Sequence, residues 1–453
     1  MKYKLKISGI HFEVLKKHLF PGDSCEAVAI AVCGRQESQA GVTFLVHEIF
    51  TIAYENCSVR TPNKVTWSTS DLPSILQMAS RKKLSILKIH SHPCGYSQFS
   101  YTDDISDREL FDSVTGWMDE EYPHVSAVML PGGEIFGRAV TTDLDFVTLE
   151  RVSVTGNDIF LWGSTQECTE DFSLRTRQAF GEGTVNKLKS MTAAVVGCSG
   201  TGSPAIEQLV RLGVGTIIII DPDTIEKKNL NRIYNSQMQD AIKHNRKVDV
   251  LKRAIDEIGL GTTVIPFPNN LYDDVEILKQ LAGADVVFGC MDSVDGRHLL
   301  NQLATFYLLP YFDMGVKLLS DGKGGIDQIM GTVHYLQPGG STLLSRKVYN
   351  TEDLRAASMF RINIEHYREQ QKMGYIADVR VDSPAVISIN TQLASMAVNE
   401  FLARIHSFRY DSNEKFAVTR ISFTDAYVQY EKDDYADHYL KKFIGRGDML
   451  PFL

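Results

Sequence analysis

Residues 191–234 read MTAAVVGCSGTGSPAIEQLVRLGVGTIIIIDPDTIEKKNLNRIY. The stretch opens on an apolar run, TAAVVG, breaks at CSGTGS, resumes as PAIEQLVRLG and closes on GTIIIID. Strand, glycine turn, helix and strand in that order make a βαβ unit, which implies parallel strands joined by a crossover helix. Glycines at such a turn let the backbone approach a phosphate, and the helix N-terminus adds free N–H groups and a positive dipole end. Asp221 ends the second strand about 20 residues on and suits a ribose hydroxyl. By itself the glycine pattern also fits dinucleotide dehydrogenases, or a turn that holds no ligand. Working outward, the patterning predicts a helix over Asp240–Ile258, a strand over Thr263–Pro266, a helix over Asp274–Leu281 and a strand over Ala284–Gly289. Beyond Val333 it predicts a long apolar-faced helix at Pro384–Ile405 and strands at Ala417–Phe423 and Tyr427–Glu431.

Toward the N-terminus the texture changes. Strand-like runs at Ala27–Val32, Val42–Val46, Ser85–Ile89 and Ser126–Leu130 mix with a helical stretch at Asp71–Ser80, and MKYKLKISGI alternates like a strand. Residues Val154–Phe172 are polar and weakly patterned, which places a boundary there. At 453 residues, a prior of about two to three domains applies. Lys plus Arg is 47 against 56 Asp plus Glu, a net charge of −9, which argues against nucleic acid or an anionic membrane as partner. No apolar run approaches the roughly 20 residues of a membrane span. The 7 cysteines (Cys25, Cys33, Cys57, Cys94, Cys168, Cys198 and Cys290) form no CxxC pair, so a reducing cytoplasm is expected.

Residues 90–104 read HSHPCGYSQFSYTDD, after the apolar LSILKI. His90 and His92 at a strand end point to one face. With Asp103 they make a normal zinc set with a fourth position left open. A bare HxH is also compatible with surface histidines. The added Pro93, Ser100 and Asp103 resemble the JAMM (MPN-plus, JAB) metalloprotease motif, HxHP followed by six residues and SxxD. That resemblance implies an α+β, cytidine-deaminase-like domain with one catalytic zinc on His90, His92 and Asp103. It implies an upstream glutamate as general base, matched by Glu26 in SCEAVAIAVCG, with Glu48 as the other candidate. It also implies Ser100 as a donor to the developing oxyanion, and cleavage after the C-terminal glycine of a ubiquitin-like protein.

The C-terminal stretches IIIIDPDTIEKKNLNRIY (217–234) and RTRQAFGEGTVNKLKS (175–190) resemble the ThiF/MoeB/HesA adenylating family. The resemblance spans roughly residues 174 to 405 and implies a Rossmann-like, doubly wound α/β domain. It implies that Gly197, Gly200 and Gly202 pack against ATP, that Asp221 binds ribose, that Asp223, the second acid of the family's Asp-x-Asp, also belongs to the nucleotide site, and that Asn229, Arg232 and Lys247 offset phosphate charge. Asp292, in GCMDS, would hold magnesium. Arg177 would reach the phosphates of a partner subunit in trans, which implies a homodimer. Two departures stand out. The stretch after PGG reads STLLSRKVY and no cysteine follows Cys290, so the structural zinc of many relatives is not expected. The segment ADVRVDSPAVISIN lacks the thioester-forming cysteine, so the chain is expected to stop at the adenylate or use an unusual cysteine.

Together these readings give residues 1–160 as a zinc metalloprotease domain, 161–173 as a linker and 174–453 as an adenylation domain. The expected protein is bifunctional. It trims or deconjugates a ubiquitin-like or sulfur-carrier protein and adenylates that protein's C-terminal glycine, with a ubiquitin-conjugating-like protein as a further partner. The alternative is that one domain is catalytic and the other regulatory or docking. The sequence leaves the pathway open among sulfur transfer, protein tagging and antiphage defence.

Overall fold

The computed structural model describes residues 1–38, 41–118, 122–321, 323, 325–373, 385–434 and 436–449. Two units emerge: the first is Met1–Ser164 with Thr305–Leu308 and Lys442–Leu453, and the second is Thr165–Ala304 with Leu309–Lys441.

The first unit runs β1 (Lys2–Ser8), α1 (Gly9–Leu19), β2 (Val28–Ser38), β3 (Gly41–Thr51), β4 (Cys57–Thr61), β5 (Lys64–Trp67), α2 (Leu72–Lys82), β6 (Ser85–Ser91), α3 (Tyr101–Met118), β7 (His124–Met129), β8 (Ile135–Val140), β9 (Phe146–Thr148), β10 (Arg151–Thr155) and β11 (Ile159–Gly163). Its main sheet has the order β11-β10-β1-β3-β2-β6-β7-β8-β9, and β4-β5 form a separate hairpin. The sheet is buried on both faces, which is why β2 reads as an unbroken apolar run. Ala29, Ala31 and Cys33 of β2 join one core with Phe12, Leu15 and Leu19 of α1. Val28, Ile30 and Val32 join the other, with Leu72, Ile75 and Leu76 of α2 and Phe111 and Val114 of α3. The stretch after Val154, read as a featureless boundary, instead carries β11, antiparallel to β10 with Val154 opposite Phe160. The turn at Gly156–Asp158 supplies the polar texture, while Ile159 and Leu161 are buried.

The second unit runs α4 (Leu174–Ser190), β12 (Thr192–Val196), α5 (Gly202–Arg211), β13 (Thr216–Ile220), α6 (Met238–Lys243), α7 (Lys247–Ile258), β14 (Thr263–Phe267), α8 (Val275–Ala282), β15 (Val286–Gly289), α9 (Val294–Phe306), β16 (Tyr311–Ser320), β17 (Ile326–Leu336), α10 (Thr351–Ile362), α11 (Ile364–Lys372), α12 (Ile387–Ile405), β18 (Val418–Ser422) and β19 (Tyr427–Glu431). Its sheet order is β14-β13-β12-β15-β16-β17-β18-β19. The pairs from β14 to β16 are parallel and those from β16 to β19 antiparallel. The expected parallel sheet is therefore extended by an antiparallel flank. Pro384 and most of ADVRVDSPAVISIN lie outside the described residues.

One element differs in a way that matters. The helix expected over Asp240–Ile258 is two helices, α6 and α7, broken at His244 with φ 52°. Backbone bonds from Ile225 N to Asn245 O (2.8 Å) and from Lys247 N to Asp223 O (3.1 Å) draw the break against the segment after β13. The stretch after PGG is held without cysteines: Ser341 N donates to Asp433 at 2.9 Å, and buried Arg346 donates to Ser341 Oγ at 2.7 Å and Tyr335 O at 2.8 Å. No helix among the described residues is long and apolar enough to cross a membrane.

Candidate metal centre and nucleotide site

In the first unit, β6 lies between β2 and β7 and is buried along its whole length. His90 pairs in register with Val28 on one side and Val128 on the other, and His92 N continues the ladder to Met129 O at 3.0 Å. Strand alternation puts both imidazoles on one face. Their Nε2 atoms stand 3.1 Å apart. Asp103 sits in the first turn of α3, where it and Ser100 form a reciprocal cap. Ser100 N donates to Asp103 Oδ2 at 2.7 Å and Asp103 N donates to Ser100 Oγ at 3.2 Å. Asp103 Oδ1 is left facing His90 Nε2 at 3.1 Å. One donor atom from each of His90, His92 and Asp103 lies within 4.8 Å of the others.

This donor set fits a zinc ion. His92 Nδ1 lies 2.7 Å from Tyr96 O, a contact that places its proton on Nδ1 and leaves Nε2 as a lone-pair donor. Burial opposes the charge on Asp103, but hydrogen bonds with His90, His92 and Ser100 outweigh it and hold the carboxyl well below its usual range. Burial lowers the His90 imidazole despite its Asp103 partner, favouring the neutral ligand form.

Glu26 is buried beside this group. Its backbone N donates to Thr61 O of β4 at 2.9 Å. Ser91, between the two histidines, ties down the adjoining residue: Ala27 N donates to Ser91 Oγ at 3.0 Å and Ser91 N to Ala27 O at 3.0 Å. Burial pushes the Glu26 carboxyl up to about 7, with Asp103 adding to the shift and His92 and Lys88 opposing it. Glu48, by contrast, lies exposed on β3 opposite Val32. The Ser100 hydroxyl donates to Asp103 Oδ2 at 2.7 Å, so its proton is already committed.

A buried ionic network under α3 was not signalled by the motif. Asp107, fully buried, accepts from Lys88 at 2.6 Å and from Arg138 at 2.6 and 3.2 Å, and Arg138 also pairs with Asp104. Lys88 is two residues before His90 and Asp107 four after Asp103. The network therefore fixes the strand and helix that carry the histidines and the carboxylate. No sequence signal sets Asp107 apart, because α3 carries several other charged residues.

In the second unit the residues gather at the C-terminal ends of β12, β13 and β15, the position where open parallel sheets bind ligands. Gly197 (φ 94°) turns the chain out of β12, and a side chain there would meet the Cys290 carbonyl beyond β15 at 2.6 Å. A side chain at Gly202 would meet Gly197 O at 1.8 Å, and one at Gly200 would meet Asn390 at 2.2 Å and Arg232 at 3.4 Å. The glycines are thus required by the fold of the loop itself. Asp221 is buried and accepts from Cys198 N at 2.7 Å and Asp223 N at 2.9 Å. Lys247, placed at the start of α7 by the break described above, reaches Asp223 Oδ2 at 2.7 Å and Asp221 Oδ1 at 3.3 Å. Burial raises the Asp221 carboxyl, against the pull of Lys247 and the two N–H donors.

The other expected residues stand differently. Arg232 is half-buried and donates to Lys228 O at 2.8 Å and Asn231 at 3.2 Å. Asn229 Oδ1 accepts from Glu226 N at 2.9 Å, a local cap. Asp292 is exposed, two residues past Cys290. Arg177 lies before a kink in α4 at Gly181 (φ 78°), and its Nε is buried with no partner among the described residues. A buried pair missed by the motifs, Arg297 of α9 on Asp313 of β16, lies next to β15, where Asp313 is in register with Gly289. Tyr311 donates to the same carboxylate at 2.8 Å. Cys198 is buried and Cys290 partly so, and loss of solvent pushes both thiols up, away from nucleophilic thiolate. Cys168 is buried, its N donating to Asn186 at 2.9 Å.

The sequence profile of the ThiF family matches residues 173–434. The adenylyltransferase and sulfurtransferase UBA4 of Meyerozyma guilliermondii is 32% identical over 139 residues, 30% of this chain and 31% of that protein. Ubiquitin-like modifier-activating enzyme 5 of Bombyx mori is 27% identical over 165 residues, 34% of this chain and 39% of that protein. The chain thus spans well under half the length of these curated relatives. The crystal structure of E. coli MccB with ATP superposes at TM-score 0.45 and 15% identity, over 90% of this chain and 98% of that one. A family match over more than half of the chain, on a sheet whose glycine loop, paired acids and lysine meet at one set of strand ends, establishes that the chain belongs to the ThiF family.

Proposed function

We propose that the second unit adenylates the C-terminal glycine of a small ubiquitin-like or sulfur-carrier protein. The observation that carries this reading is the convergence of the Gly197–Gly202 loop, Asp221 and Lys247 at the strand ends of a ThiF-family sheet. The names of the two relatives, an adenylyltransferase and a ubiquitin-like modifier-activating enzyme, support the same class. A carboxylate oxygen of the carrier attacks the α-phosphorus of ATP, the bond to the bridging oxygen breaks, and pyrophosphate leaves. Asp221 receives the ribose hydroxyls, while Lys247 and Arg232 turn toward phosphate and offset its charge. Magnesium, when bound, would neutralise phosphate charge, and Asp292 is the exposed carboxylate that would hold it. Arg177, whose Nε has no partner among the described residues, would complete the site of a second copy in a homodimer. The two thiols near the strand ends are poor nucleophiles, so the product held is the acyl-adenylate rather than a thioester. Pyrophosphate exchange dependent on a carrier's terminal glycine tests the reading, and a carrier lacking that glycine should give none.

For the first unit we propose a JAMM-type zinc peptidase or isopeptidase acting on the same class of tail. Its support is the preassembled His90, His92 and Asp103 set with a buried glutamate beside it. Zinc, when bound, would activate water and polarise the scissile carbonyl. Glu26, with a carboxyl near 7, takes the proton of the attacking water and passes it to the leaving amine. Ser100 holds Asp103 in place, and its hydroxyl must leave that bond before it can serve an oxyanion. Zinc-dependent release of a chain joined after a carrier's terminal glycine, lost in Glu26→Gln with zinc retained, is the test.

A further inference from the structure

The first unit holds a cavity of about 700 Å³ that the chemistry above does not use. It opens between the two margins of the sheet, where β8 and β9 approach β10 and β11. Phe136 and Arg138 of β8, Phe146 of β9 and Trp162 of β11 line it, together with Phe99 from the loop that joins His92 to Ser100. The four aromatic rings are all half-buried, so each leaves apolar surface turned to water. Ligand pockets are typically of this kind: roughly 300–1,000 Å³, lined mostly by apolar and aromatic side chains with a few polar groups. Here the rim is Ser97, Gln98 and Glu134, all exposed.

The cavity adjoins the metal centre through two packed rings. Phe136 stands edge-on to the His92 imidazole at 6.4 Å and edge-on to Phe99 at 5.3 Å. Its wall is rigid. The Arg138 guanidinium lies over Phe99 at 3.8 Å and over Phe146 at 3.7 Å while paired with Asp104 and Asp107. Two carboxylates therefore consume Arg138, and among the described residues of the lining no other cation is offered to an anion.

Resting on the peptidase reading of the metal site, we infer that this cavity is a specificity subsite: it takes one large apolar side chain (Leu, Phe, Tyr or Trp) of the chain cleaved at the metal centre. At roughly 3.3 Å per extended residue, a side chain about two to four positions from the scissile bond spans the distance past His92 and Phe136. An acidic residue at that position meets aromatic faces and the Glu134 carboxylate, and is rejected.

The experiment uses the full chain carrying Trp67→Phe and Trp117→Phe, which leaves Trp162 as the one tryptophan of the 3. Capped pentapeptides Ac-Gly-Gly-Xaa-Gly-Gly-NH2, with Xaa Phe, Leu or Asp, are titrated while Trp162 emission is recorded, with and without zinc. Phe and Leu peptides should give a saturable change and bind at least about tenfold more tightly than Asp, as expected for an apolar pocket. Phe146→Ala should remove the preference and Phe146→Leu should keep it. In parallel, the zinc-loaded wild-type chain is given a proteome-derived peptide library, and cleavage sites read by mass spectrometry should share one position enriched in large apolar residues. Cleavage that ignores side chains, or Trp162 emission indifferent to Xaa, overturns the subsite. Selective binding with no cleavage of any peptide or carrier conjugate overturns the peptidase reading instead.

Discussion

The two candidate sites of this chain are built in opposite ways. The candidate metal centre is preassembled: His90, His92 and Glu26 are buried, Asp103 nearly so, and every one is held by strand pairing, a helix cap or a neighbouring backbone bond. The nucleotide site is open. Asp292 is exposed, Arg177 Nε has no partner among the described residues, and Lys247 pairs with Asp221 and Asp223. Three ligands for a small ion must stand within a few ångströms before it arrives, so preorganisation falls on the protein. In the second unit, by contrast, Lys247 is the cation held on carboxylates, while Arg232 donates to the Lys228 carbonyl and to Asn231.

Asp292→Ala should lower carrier-dependent pyrophosphate exchange by roughly a thousandfold or more, because several kcal/mol of charge neutralisation lose their anchor. Stability should not change, since the residue is exposed. Full exchange activity in that variant would remove Asp292 from the site. Glu26→Gln should cost about 10²–10⁴-fold in hydrolysis while zinc content holds, as it removes a proton acceptor and not a ligand. Normal cleavage would assign the base elsewhere. Asp107→Asn should instead act on folding. It breaks a fully buried pair with Lys88 and Arg138, a loss of about 3–5 kcal/mol for buried pairs of this kind, and urea denaturation of the first unit would report it. An unchanged midpoint would mean that the network carries no stability. Lys247→Ala should weaken exchange by about ten- to a hundredfold through lost phosphate neutralisation. Mixing Arg177→Ala with Asp292→Ala chains should restore some exchange if Arg177 acts across a dimer, and the absence of any rescue would place it in cis.

The comparison also explains what the sequence could disclose. The His90–Asp103 motif is contiguous, so one strand, one loop and one capping box bring its members together, and its geometry follows from local rules. The βαβ unit at 191–234 was equally legible, because alternating strand and helix lengths bracket its glycines. The break between α6 and α7 was not. Residues 240–258 carry helical periodicity throughout, and the break at His244 comes from backbone pairing with Asp223 and Ile225, some 20 residues earlier. Tertiary pairing overrode local propensity, and the break is what sets Lys247 at the helix start. β11 escaped for a similar reason, since a strand of five residues next to a polar turn has too short a pattern to register. Asp107, Arg138 and the Arg297–Asp313 pair were invisible because an inward-facing charge looks like any other charge until its partner, 16 to 31 residues away, is placed.

We propose that one chain carries two separable chemistries, one dependent on a metal held by His90, His92 and Asp103 and the other on a nucleotide site that owes nothing to that metal. A single preparation of His90→Ala plus His92→Ala protein tests it, by measuring zinc content and carrier-dependent pyrophosphate exchange on the same sample. Zinc should fall from about one ion per chain to none while exchange with a carrier already ending in glycine stays at the wild-type rate. Stoichiometric zinc retained by the double mutant, or exchange lost along with the metal, would contradict the account.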